Sequence, residues 1–103
     1  MDGTPLKIGK RDFVVPEASL EVAEQATEKT EQLDLAKNNA QAFATIAEVV
    51  RICLLENYPE LTLQEVKRAI PFRSAVDCMV AVLVAAGLRQ TQGTAAPGEA
   101  VSP

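Results

Sequence analysis

The sequence predicts a mainly α domain of three to four helices with a short N-terminal β-hairpin and a flexible C-terminal tail. Three observations carry that reading. Aromatic residues are scarce, 4% of 103 residues with no Trp, so the core has to be built from Ala, Val, Leu and Ile, which favours packed helices over a sheet sandwich. Apolar residues between 40 and 57 recur at three- and four-residue spacing. Two helix-end signatures, Thr62-Leu63-Gln64-Glu65 and Gly87-Leu88, punctuate the second half of the chain. A chain of this length holds one domain, here 1–88, with 89–103 as a tail.

The elements follow in order. Residues 5–16 read as two extended runs around a Gly9-Lys10 turn, with Leu6 and Ile8 before the turn and Phe13 and Val15 after it, each pair in period two. A lone hairpin is marginal in water, so this one has to lie on the helices or on another chain. Pro16 stops it. Ser19 is the expected N-cap of a helix running to about Ala36, with Leu20, Ala23, Ala26 or Thr27, Thr30 and Leu33 as a thin apolar stripe among acidic residues. Asn38-Asn39 interrupts the chain. From Ala40 to about Asn57, a stripe of Phe43, Ile46, Ala47, Val50, Cys53 and Leu54 is broadened by Val49, Ile52 and Leu55. Such a helix is either central in the bundle or covered on its second face by another subunit.

Asn57-Tyr58-Pro59 ends that helix. Thr62 and Glu65 then form a capping box, with Leu61 and Val66 at the staple positions, opening a short helix to about Ile70 that Pro71 halts. Ser74 is the expected cap of the last helix, with Asp77 giving a weaker box, and Gly87-Leu88 is its left-handed end. Its body, AVDCMVAVLVAA, has no polar residue after Asp77. Either this helix is central, or one side of it, Val76, Met79, Val80, Leu83 and Val84, is a partner-binding surface. The second helix adds Val49, Ile52 and Leu55 to the candidate surface. After Arg89 the chain is small, polar and rich in Gly, Pro and Ala, the composition of a disordered tail or linker.

Composition removes several functions. Ten Lys and Arg against fourteen Asp and Glu give a net charge of -4 with no basic stripe in the sequence, which disfavours nucleic-acid binding. Two capped helices from Leu63 to Leu88 have the layout of a helix-turn-helix, but the second presents Val, Met, Ala and Leu where base readout needs Arg, Lys, Asn or Gln. There is no His, the commonest general base and metal ligand, and no phosphate loop, metal-spaced cluster or nucleophile beside a base. The expectation is no enzyme, no cofactor and no metal. Cys53 and Cys78, 25 residues apart within apolar patterns, read as reduced core residues. No stretch has the length and hydropathy of a signal or a membrane span, so a cytoplasmic protein without membrane contact is expected.

The whole pattern resembles a known family. An L-x-I-G-x-x-x-F-x-V-P hairpin from Leu6 to Pro16, an acidic helix, an apolar helix ending in NYPELTLQEV, a Pro break and an apolar helix closing in AAGL resemble the tail assembly chaperones of long-tailed bacteriophages. The resemblance covers about residues 5–88 and is sharpest at Tyr58-Pro59-Glu60-Leu61-Thr62 with Glu65 and at Ala86-Gly87-Leu88, where Ala86 stands in place of a frequent Ser. It implies a non-enzymatic role in virion assembly. Such chaperones bind the long helical tape measure protein, keep it soluble, help recruit tail tube protein as the tube polymerises, and are absent from the mature virion. The resemblance therefore implies the host cell cytoplasm, with tape measure protein and tail tube protein as partners and self-association as a further possibility. A different class of function, a structural virion component such as a small head-tail joining protein, is the alternative.

Overall fold

The structure, a computed structural model, describes residues 2–34 and 39–89. The expectations for Leu35 to Asn38 and for the tail beyond Arg89 lie outside the described residues.

The hairpin forms where its alternation places it. Strand β1 (Thr4–Ile8) pairs antiparallel with β2 (Arg11–Val15), Leu6 opposite Phe13, across the two-residue Gly9-Lys10 turn. Directly opposed residues share a face, so Leu6, Ile8, Phe13 and Val15 descend together onto the helices. Ile8, Phe13 and Val15 are fully buried there. Gly9 has φ +61, and a Cβ at this position would collide with the Ala69 carbonyl, so the turn sits directly on a helix end.

Side chains from the NYP segment lock the free edge of β2. The Val14 amide donates to the Tyr58 hydroxyl (2.8 Å), and Asn57 Nδ2 donates to the carbonyls of Val14 and Asp2 (2.9 Å each). The Tyr58 ring meets Phe13 edge to face at 5.2 Å. With both outward groups of Val14 taken by side chains, that stretch of the edge is closed to a further strand. Pro5, opposite Val14, has no amide to leave unpaired on the other edge.

Helix α1 (Leu20–Gln32) starts on Ser19, whose hydroxyl accepts from the Val22 amide at 3.2 Å. It stops short of the expected Ala36: Leu33 turns extended (ψ 126) and packs against the core, with no Gly or Pro to announce the break. Leu20, expected on the apolar stripe, is 89% exposed. Only Ala26 of α1 is fully buried, so this helix lies on the bundle by one narrow line, aided by a Lys29 to Glu48 ion pair at 3.5 Å.

Helix α2 (Ala40–Leu54), capped by Asn39 on the Ala42 amide at 3.0 Å, is the central element. It touches α1, β2 and the two later helices, and its buried side chains, from Ala42 through Ile46, Val50 and Leu54, cover more than half its circumference. Within its own chain α2 is thus central, with Phe43 left on a side that the described residues do not cover. It ends at Leu54, three residues before Asn57, in a turn where the Asn57 and Tyr58 amides donate to the Leu54 carbonyl. Arg51 then donates through Nε to the Leu61 carbonyl (2.9 Å), tying the next loop back to α2.

Helix α3 (Leu63–Ala69) has the full reciprocal box: the Glu65 amide donates to Thr62 Oγ1 (3.1 Å) and the Thr62 amide to Glu65 Oε1 (2.9 Å). The staple residues Leu61 and Val66 are buried. The bonds that the carboxylate accepts, from the Thr62 amide first and the Thr62 hydroxyl second, hold the Glu65 carboxyl below its ordinary pKa. The box therefore adds stability above the usual carboxylate range and loses it as pH falls through the lowered value.

The expected Ser74 cap is absent. A 3-10 turn at Phe72–Ser74 leads into α4 (Ala75–Ala85), and Ser74, at ψ 22 instead of an extended value, makes no side-chain cap and points at Cys78 Sγ, 3.8 Å away. The other end follows the sequence: Gly87 takes φ +85, its amide donates to Val84 and that of Leu88 to Leu83, a Schellman closure. The Ala18 amide donates to the Ala86 carbonyl (3.0 Å), fastening the approach to α1 onto the end of α4. Hairpin and helices share one apolar core.

Candidate partner-binding grooves

Helix α4 shows how an all-apolar helix chooses its faces. Met79, Val82, Leu83 and Ala86, at i, i+3, i+4 and i+7, are buried. Asp77, Val80, Ala81 and Val84, the same pattern displaced by two residues, form the outer side and line a shallow groove of about 440 Å³ whose opposite wall is Thr4 and Leu6 of β1. Asp77 is the charge that marks this side as solvent-facing.

The candidate surface read from the sequence is therefore split. Val80 and Val84 line the groove, and Val76 is 38% exposed one turn before Val80. Met79 and Leu83 are each 3% exposed and Val49 is fully buried, so these three belong to the core, with Leu83 reaching outward only at the floor of a hollow between α1 and the end of α4. Ile52 and Leu55 are half-buried and do not line this groove. Periodicity fails here for a physical reason: with no polar residue after Asp77, every stripe of α4 looks equally apolar.

A second groove, of about 330 Å³, is not anticipated by the sequence pattern. Ala40, Phe43, Ala44 and Ala47 of α2 form one wall and Ile70 and Phe72 the other, with Lys67 on the rim. Phe43 belongs to the apolar stripe expected to be core, yet it is 38% exposed, and Phe72 is 70% exposed. The two rings meet edge to face at 5.3 Å, each shielding part of the other in place of a core. Two sequence features could have signalled this groove. Phe72 is a large aromatic stranded in a short connector after Pro71, and the alanines at 40, 44 and 47 leave a hollow beside Phe43.

Basic residues scattered in the sequence also gather. Lys10 and Arg11 of the hairpin turn share a hollow with Arg68 and Glu65 of α3, and Arg11 stacks over Phe13 at 4.8 Å. Among the described residues no group of three or more His, Cys, Asp or Glu is placed to hold a metal ion, and no helix is long and apolar enough to cross a membrane. Cys53, buried on α2, has its thiol pKa pushed up from 9.0 to about 11 by desolvation. A raised thiol pKa favours the folded state below pH 9, a contribution lost as pH rises toward 11. Thiol labelling of the folded chain at neutral pH is expected to modify half-buried Cys78 and to reach Cys53 only on unfolding; equal rates for both would contradict the placement.

No family model, curated protein or solved structure matches this chain.

Proposed function

We propose that this protein is a tail assembly chaperone of a long-tailed bacteriophage, a non-enzymatic protein of the host cytoplasm that holds the helical tape measure protein soluble while tail tube subunits polymerise around it. The observation that carries the reading is the pair of open apolar grooves on a folded domain whose core is already complete. A client helix offers many different side chains along its length. Grooves walled by Val, Ala, Leu and Phe, with few directional polar groups, accept such variety through shape and desolvation. The sequence resemblance over residues 5–88 supplies the named client and points the same way. The groove between β1 and α4, with Leu6, Val80 and Val84, is the first binding site in this reading. The net charge of -4 keeps a chain with exposed apolar surface in solution.

Co-expression with the tape measure protein of the same genome tests this. The client is expected to move from the pellet to the supernatant and to co-purify with the chain. A client that stays insoluble at equal expression would contradict the function.

A further inference from the structure

We infer that the Phe43–Phe72 groove is a second, chemically selective docking site, taking an amphipathic helix of the client that carries acidic residues along its flanks. The inference rests on the chaperone reading for the identity of the client, while the chemistry comes from the groove.

Three features define the occupant. Phe72 is 70% exposed beside Phe43 at 38%, a concentration of aromatic surface that the described residues leave uncovered and that is the usual anchor of a binding interface. Ala40 and Ala44, one turn apart beside Phe43 on α2, give the wall small side chains that let a second helix approach closely, while the core residues Ile46 and Ala47 close its floor. The charge at the rim is positive. Lys67 lines the groove and makes no salt bridge among the described residues. The groove also opens at Ala40, the N-terminal end of α2, whose first turn carries no acidic residue to offset the helix dipole. Carboxylates beside the apolar row of an incoming helix would meet all of these; lysines would meet repulsion.

The test uses the purified full chain and two designed, fluorescently labelled helical peptides of about 18 residues, each with one leucine row, flanked by Glu in one and by Lys in the other. The acidic peptide is expected to bind at least about tenfold more tightly, to weaken as salt is raised, and to lose about tenfold or more in affinity to Phe72→Ser. Phe72 is largely outside the core, so that variant is expected to keep its helical signal. Lys67→Glu is expected to reverse the preference between the peptides. Equal binding of both peptides, or no effect of Phe72→Ser in a folded chain, would overturn the inference. So would a concentration-dependent dimer that Phe72→Ser abolishes, since the groove would then belong to a second copy. Selective peptide binding together with an insoluble tape measure protein would sink the chaperone reading alone, and a solubilised client with indifferent peptides would sink this groove alone.

Discussion

Met79→Asp is expected to unfold the protein. Met79 is among the residues that the sequence offers as a partner-binding side of α4, but it is 3% exposed and packs in the core with Val82 and Leu83. Truncating a buried Met costs about 2–5 kcal/mol through lost burial and the cavity left behind. A carboxylate in its place has no partner, and its desolvation adds several kcal/mol or forces it to take up a proton. Domains of this kind have about 5–15 kcal/mol in total. The expected result by circular dichroism at neutral pH is a loss of helical signal, and Leu83→Asp is expected to behave the same way. A folded Met79→Asp chain would show that α4 is rotated and that the buried face has been misassigned.

Gly9→Val is expected to lower the thermal midpoint by about 10 °C or more. At φ +61 a β-branched residue is strained by about 1–3 kcal/mol from the backbone alone. Its Cβ also meets the Ala69 carbonyl, a backbone atom at the end of α3 that cannot swing aside. The turn has to lift, and with it goes part of the burial of Ile8. In a domain of this size each kcal/mol moves the midpoint by about 4–8 °C. Gly87→Ala provides the comparison, because Gly87 has φ +85 but a methyl group added there would meet nothing within 4 Å. That variant carries backbone strain without a collision, so a smaller loss is expected. Equal losses would contradict the docking of the hairpin turn on α3.

The contrast between these sites shows what is legible in the sequence. Local signals with a mechanism are: the Gly9-Lys10 turn, the Ser19 cap, the Thr62/Glu65 box with its staple, and the Gly87-Leu88 closure all depend on residues within a few positions of each other. Ser74 misleads because a 3-10 turn uses the same residues and takes the serine out of the extended backbone an N-cap requires. Tertiary choices are less legible. Nothing local says that Leu33 leaves its helix to meet the core, that Leu20 faces water, or that α2 and not α4 is central. For the candidate site, the sequence offers Val80 and Val84 together with the buried Met79 and Leu83 and does not separate them, and Phe43 is hidden inside a convincing core stripe.

Asn57, Tyr58 and Phe13, all within the pattern that resembles the chaperone family, join the hairpin to the helices. These residues hold the fold, and in the proposed function they act on the client only by presenting β1 beside α4.

The central claim is that the client lies on the outer face of α4 and not on residues that stabilise the fold. The most direct measurement is co-expression of the tape measure protein with the Val80→Glu, Val84→Glu double variant, alongside circular dichroism of the purified variant. The expected result is an unchanged helical signal and a client that returns to the pellet, because two carboxylates in the groove against Leu6 remove its apolar surface without entering the core. A folded double variant that keeps the client soluble would contradict it.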